Sequence, residues 1–277
     1  SRGKPIVNMF PLIEGEKITV ILPIKGYQDD HYVFMATSLG TVKKTRLSDF
    51  SNPRKAGIIA VDLDEGDHLV GAAITDGRHD VMLFSDAGKA VRFDENDVRP
   101  MGRTARGVRG MNLDASHEVI AMLVAPAEIE GQTNAVDENG APLPSSVLTA
   151  TANGYGKRTP ISEYTRHGRG TKGMIAIQTS ERNGKVVAAV LVSEQDQIML
   201  ITTGGILVRT RVSEIREMGR ATQGVTLINV DEGTRLSGLQ RIAESDSDDE
   251  GDADDAEEGD VSADPATGSN ENTAGDA

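Results

Sequence analysis

Cysteine and tryptophan are absent from the 277 residues, and aromatic residues make up only 3% of them. Without thiols, neither a disulfide framework nor a thiolate metal site can form. With so few rings, stacking on the bases of single strands is a poor expectation. Long apolar runs are also missing: none approaches the ~20 residues that a membrane-spanning helix requires. Ser1-Arg2-Gly3-Lys4 lacks the apolar core of a signal peptide. A soluble intracellular protein with no membrane partner is expected. The chain opens on Ser1 rather than Met, and reads as a piece of a longer polypeptide.

Positive charge is missing from one stretch only. The formal net charge is −14, yet Glu244 to Ala277 hold 14 acidic and no basic residues, which leaves 29 acids against 29 bases in residues 1–243. The body is neutral and the tail carries the imbalance. A tract of Asp, Glu, Ser, Gly and Ala cannot bury enough apolar surface to offset its ordering entropy, so residues 244–277 are expected to be disordered. Within the body, bases cluster: Arg99, Arg103, Arg106 and Arg109 in one stretch, and Lys157, Arg158, Arg166, Arg169 and Lys172 in another.

Those clusters belong to internal repeats. Four segments align without gaps, from Val33 to Gly40, Val81 to Gly88, Val147 to Gly154 and Ile198 to Gly205. Each is an apolar run ending at a turn glycine. Soon after the glycine comes a basic strand, carrying Lys43 and Lys44, Arg92, Lys157 and Arg158, or Arg209. A connector follows, with a late apolar residue (Phe50, Val98, Tyr164, Ile215) and a second glycine (Gly57, Gly107, Gly173, Gly224). A further strand such as Ile58–Val61 or Met174–Ile177, an acidic or polar turn, and a last strand (Leu69 to Ile74, Val186 to Val192) complete the unit.

Short β-branched strands, frequent turn signals and no sustained 3.6 period give an all-β fold. Four strands per unit at a period near 50 residues suggest propeller-like blades around an axis. The repeats divide the chain at 33–80, 81–146, 147–197 and 198–243, with a loop insertion at 127–146. Residues 1–32 form the end of a truncated blade.

Catalytic and cofactor chemistry finds no footing. His31, His68, His79, His117 and His167 are dispersed without metal-ligand spacing, and His117-Glu118 lacks the second histidine of a zincin. Gly168 to Gly173 has the letters of a dinucleotide fingerprint, but a β-like run follows instead of a helix. Asp246, Asp248, Glu250, Gly251 and Glu257 mimic an EF-hand loop without flanking helices. No catalytic residue, metal or cofactor is expected in this chain.

Several strings carry a family likeness. Ala36-Thr-Ser-Leu-Gly-Thr-Val-Lys-Lys-Thr45, Gly107-Val-Arg-Gly110, Asn153-Gly-Tyr-Gly-Lys-Arg-Thr159, Thr179-Ser-Glu-Arg-Asn-Gly184 and Val208-Arg-Thr-Arg-Val-Ser-Glu214 closely resemble the C-terminal domain of bacterial DNA gyrase A. The resemblance implies a β-pinwheel, a ring of six blades in the complete domain, whose neighbours exchange strands. It implies that duplex DNA is bound and bent around the rim, in the cytoplasm and by an assembly with the rest of gyrase A and with gyrase B. ATP and Mg would act on other parts of that assembly. The family's hallmark box, a Gln, basic residues and Gly-Gly-Lys-Gly, is missing; Arg169-Gly-Thr-Lys-Gly173 is a degenerate relative, so reduced wrapping is expected.

Duplex binding with few aromatics and no reading helix leaves phosphate contact as the source of affinity. The expected contacts are Lys43, Lys44, Arg92, Lys157, Arg158 and Arg209 on the strands, with Arg103, Arg106, Arg109, Arg169, Lys172 and Arg220 in the connectors. About two phosphates per repeat would give log K a slope of roughly −7 against log salt. The acidic tail, spanning roughly 30 Å root-mean-square, would compete with DNA. A protein-binding propeller scaffold and the related C-terminal domain of the topoisomerase IV counterpart of gyrase A remain alternatives.

Overall fold

The computed structural model describes residues 9, 12–127, 140 and 143–242 of the chain. The expected acidic tail and most of the 127–146 insertion lie outside the described residues. Residues 1–244 form one compact unit by their contacts.

Each repeat opens on an antiparallel hairpin whose two strands flank the turn glycine. These pairs are β1 (Tyr32–Thr37) with β2 (Thr41–Arg46), β4 (His79–Ser85) with β5 (Lys89–Asp94), β8 (Ser146–Thr151) with β9 (Tyr155–Pro160), and β12 (Gln197–Thr202) with β13 (Leu207–Arg211). A short 3₁₀ turn follows each hairpin, and a last strand of the same repeat returns to the hairpin's other side: β3 (Leu69–Thr75), β7 (Val119–Pro126), β11 (Val186–Val192) and β15 (Leu236–Ile242). All four returns carry a β-bulge near the end of the hairpin's first strand. A bulge bends the strand and increases its twist, so its recurrence gives each sheet the same curl.

The fourth strand of a sheet comes from the next repeat. β6 (Val108–Arg109) pairs with β2, β10 (Met174–Ile175) with β5, and β14 (Val225–Thr226) with β9. The sheet orders are therefore β3-β1-β2-β6, β10-β5-β4-β7 and β11-β8-β9-β14, while the last sheet comprises β13-β12-β15 among the described residues. A repeat in sequence is thus not a blade in space. The strand expected at Ile58–Val61 is not formed, and among the described residues no earlier hairpin lies beside it. The run expected at Met174–Ile177 is cut to two residues.

Close approach explains the turn glycines. A Cβ at Gly88 or Gly154, both at positive φ, would lie 2.2 Å from the carbonyl oxygen of Ile177 or Ile228 in the following repeat. Only glycine leaves room for that oxygen and adopts the left-handed backbone without strain.

The core lies between sheets. Residues of β4 alternate, so Val81 and Leu83 pack with Phe34, Val42 and Phe93 toward the preceding sheet, while Met82 and Phe84 pack with Val147, Ile161 and Tyr164 toward the following one. Leu148, Ile198, Leu200 and Ile215 fill the third junction. The late connector residues Val98, Tyr164 and Ile215 are buried plugs, with Tyr164 edge-on to Phe84 at 5.7 Å. β8 is buried along its whole length, whereas β12 alternates buried with half-buried, since among the described residues no later sheet covers its second face. Among the described residues no helix is long and apolar enough to cross a membrane.

Candidate nucleic-acid interface

Four of the strand cations expected to meet phosphates point into the protein. Lys43, Lys44, Arg92 and Lys157 are 0–2% exposed. A side chain without solvent access cannot touch a phosphate, so their assignment as DNA contacts is corrected. They hold the next repeat's connector instead. Lys44 Nζ lies 2.8 Å from Glu95 Oε2, and Arg92 donates from NH1 to the Ile161 and Tyr164 carbonyls at 3.2 and 3.1 Å. Arg158, with a side chain 15% exposed, donates from Nε to the Ile215 carbonyl at 2.8 Å and reaches Glu194 at 3.3 Å. Lys43 Nζ donates to the Ala60 and Arg103 carbonyls, and Lys157 Nζ to those of Gly219 and Arg220. Burial beside Arg103 and Arg220 respectively brings both ammonium groups down to about 8.

The recurrence in register is real, but its cause is the repeated joint between blades. Arg209 proves the rule from the other side. It occupies the same position in the last repeat, grips no later connector among the described residues, and is exposed against Gln197.

The connectors themselves line up. Arg103, Arg169 and Arg220 each stand four residues before a second glycine. Each donates from NH1 to the carbonyl two residues beyond the glycine of the preceding connector: Arg103 to Ile59 at 3.0 Å, Arg169 to Arg109 at 3.1 Å and Arg220 to Ile175 at 3.2 Å. Backbone bonds reinforce this ladder, from Gly170 to Gly110, Asn112 to Thr171 and Gln178 to Thr222. The connectors of all four repeats therefore form one continuous track.

That track presents cations. Arg106 (71% exposed side chain) reaches Asp62 and Asp64 at 3.2 and 3.1 Å, and Lys172 (63%) reaches Asp114 at 2.7 Å. Such exposed pairs contribute about 0–1 kcal/mol, so a phosphate can displace the carboxylate. Arg109 is exposed with no side-chain partner among the described residues, as are Arg54, Lys55 and Arg216, which sequence reasoning did not select. Their signal was available: each lies in the connector shortly before a second glycine, where the Arg99–Arg109 cluster also lies.

One group of potential metal ligands does assemble, although no spacing in the chain led to it. Asp76, His79 and Glu95 bring one ligand atom each within 4.8 Å of the others. Their existing partners account for the cluster without an ion. Glu95 Oε1 accepts from the Gly77 and His79 backbone N–H groups at 2.8 and 3.1 Å, its Oε2 faces Lys44, and Asp76 faces Arg78. Burial opposes ionisation of Glu95, but bonds from His79, Lys44 and Thr75 outweigh it and hold the carboxyl at about 2. The bond to Glu95 in turn raises His79 against the opposing effect of its burial.

Comparison with known proteins agrees with this architecture. The family described as DNA gyrase C-terminal domain, beta-propeller, matches four times, at residues 31–76, 79–126, 145–193 and 196–243. The DNA gyrase A protein of Salmonella typhimurium is 52% identical over 253 residues, covering 91% of this chain and 27% of that protein. The Escherichia coli protein is 49% identical over 244 residues, covering 88% and 26%. The chain thus spans about a quarter of the length of these relatives. Among solved structures, a DNA gyrase A C-terminal domain superposes with a TM-score of 0.73 at 26% identity, covering 88% of this chain and 76% of that one. The C-terminal domain of a DNA topoisomerase IV gives 0.76 at 25%, covering 87% and 70%. Four successive family matches, each falling on one repeat of the sequence, show that the chain belongs to the DNA gyrase C-terminal domain, beta-propeller family.

Proposed function

We propose that this chain binds duplex DNA along its connector track and bends it around the stacked blades, as the wrapping part of a gyrase A protein. In that role it supplies the chiral DNA path by which the complete assembly, with gyrase B and ATP, introduces negative supercoils in the bacterial cytoplasm. The observation that supports this reading is the ladder of Arg103, Arg169 and Arg220, which joins each connector to the preceding one, the connectors being the segments that carry the exposed cations. Bending a site of 20–30 bp costs about 1–6 kcal/mol, so contacts spread along a curve are what the task requires. Phosphate contact alone makes the binding largely independent of sequence. The acidic residues 244–277 act as a competing polyanion for the same cations.

Neutralising Arg106, Arg109 and Lys172 to Gln tests it. If each meets one phosphate, binding to linear duplexes weakens equally across sequences and the log K–log salt slope becomes shallower by about 2.7. Unchanged affinity and slope would refute the assignment of the track. The structural likeness to a topoisomerase IV domain supports a second reading, in which the track guides DNA without wrapping it. Relaxing a nicked and religated circle in the presence of the domain separates the two: wrapping leaves a linking-number change, guiding leaves none.

A further inference from the structure

One charge pairing recurs between connectors, in the register of the repeats. The residue just before a second glycine is Arg106 in the second repeat and Lys172 in the third. Each reaches the residue seven positions beyond the preceding second glycine: Arg106 NH1 lies 3.1 Å from Asp64 Oδ1, and Lys172 Nζ lies 2.7 Å from Asp114 Oδ1. Asp62 brings a second carboxylate to Arg106 at 3.2 Å, and Lys89 brings a second cation to Asp114 at 3.5 Å. In the fourth repeat both positions are neutral, Gln223 and Ser180. At the three joints formed among the described residues, cation and acid are therefore present together or absent together.

The neutral joint shows what the charge pair is not needed for. Arg220 still donates to the Ile175 carbonyl at 3.2 Å, the Gly154 carbonyl still accepts from Leu227 and Ile228, and β14 still joins β9. A buried amide links the same two residues. Asn183, 0% exposed, accepts from the Ser180 N–H and hydroxyl at 2.7 and 3.2 Å, and its Nδ2 donates to the Gln223 carbonyl at 3.1 Å. An uncharged link thus seats a connector. The charged links differ in lying at the surface: Asp62, Asp64 and Asp114 are half-exposed, and the cations they hold are more exposed still. Exposed ion pairs are weak and screened by salt, so they exchange partners readily. The hydrogen bond from Lys172 holds the Asp114 carboxyl below its ordinary range, so the acid is ionised at neutral pH.

We infer that Asp62, Asp64 and Asp114 are built-in competitors of DNA, which occupy Arg106 and Lys172 until a duplex phosphate displaces them and so lower the affinity of the track at those two joints. The inference rests on the proposed function and concerns the regulation of that same track. A carboxylate offers Lys or Arg the same kind of charge-assisted oxygen acceptor as a phosphate does. Once displaced, it remains on the same joint as the arriving phosphate, and like charges repel across the ~8–10 Å that ionic strength leaves unscreened. The two joints therefore grip a duplex less firmly than their cations alone would.

Asn at these positions keeps the shape and one acceptor oxygen while removing the charge. In a filter assay with linear duplexes at fixed salt, Asp114→Asn in the full 277-residue chain tightens binding about two- to fivefold. Asp62→Asn combined with Asp64→Asn does the same at the other joint. Two comparisons separate competition from a general change in net charge. Glu181→Gln removes an exposed acid next to Ser180 that makes no ion pair among the described residues, and it tightens binding less than about twofold. In a Lys172→Gln background, Asp114→Asn adds no tightening beyond that of Glu181→Gln. Asp→Asn variants that bind no tighter than Glu181→Gln, or a full effect of Asp114→Asn without Lys172, would overturn the inference and leave DNA binding by the track intact. Failure of the unsubstituted chain to bind duplex DNA would instead refute the proposed function, and this inference with it.

Discussion

Replacing Arg92 by Met separates charges that hold the blades together from charges that face solvent. Arg92 reaches Asp80 through Nε at 2.8 Å and NH2 at 2.7 Å, and it binds two carbonyls of the next repeat's connector. Methionine keeps much of the apolar stem but leaves Asp80, itself 0% exposed, to the half-exposed Arg166 at 2.7 Å. Breaking a buried ion pair by removing one partner costs about 3–5 kcal/mol. For a body of this size each kcal/mol moves Tm by about 2–4 °C, so a fall of ~6–20 °C is expected in calorimetry. With no tryptophan in the chain, heat capacity or far-ultraviolet circular dichroism is the signal to follow. Below the transition, the salt slope of DNA binding stays at the unsubstituted value, because Arg92 releases no counterion. A slope shallower by about one, with unchanged Tm, would mean that Arg92 meets a phosphate and would refute the reasoning about buried cations.

Two further perturbations follow. Glu95→Gln leaves Lys44 buried without its carboxylate and destabilises the neutral-pH protein by about 3–5 kcal/mol; since the folded carboxyl sits at about 2 against an ordinary 4.5, its contribution is full above 4.5 and lost as pH falls toward 2, so the variant's acid-unfolding profile flattens there, and a profile as steep as the parent's would contradict the assignment. Deleting residues 244–277, which removes 14 acidic groups, tightens duplex binding in a filter or gel assay, most strongly at low salt where screening is weak; equal affinity across the titration would exclude competition by the tail.

Much of the fold was legible because the repeats mark their own boundaries. Turn glycines, second glycines and late connector residues recur at nearly constant offsets, and the hairpins, the glycine contacts and the plugs Val98, Tyr164 and Ile215 fall on them. Direction was not legible. β2 reads Thr41-Val-Lys-Lys-Thr-Arg46, and a strand rich in cations looks like a solvated one. The burial of such strands arises from partners far along the chain, such as Glu95 for Lys44 on β2 and the Tyr164 carbonyl for Arg92 on β5, which no local spacing reveals. Ile58–Val61 failed as a strand for a similar reason, since its ladder partner belongs to another hairpin. Among the connectors, Arg54, Lys55 and Arg216 were passed over because they stand outside the densest clusters.

The buried cations and the exposed ones address different parts of one problem. Apolar side chains in place of Lys44 or Arg92 could make the joints as stable or more so, because desolvating an ion pair consumes most of its Coulombic gain. Apolar contact is non-directional, however, and a connector seated on it could slide. A guanidinium bound to two carbonyls, or an ammonium facing one carboxylate, fixes the connector in a single register with its neighbour. The track then inherits a regular spacing, reinforced at the surface by the three Arg–carbonyl bonds of 3.0–3.2 Å. Phosphates along a duplex are themselves regularly spaced, so cations held at a fixed interval can meet them repeatedly, whereas cations on sliding loops would lose ordering entropy at every contact. In the proposed function, the inner charges therefore set the shape of the bound path, and the outer charges set how tightly it is held.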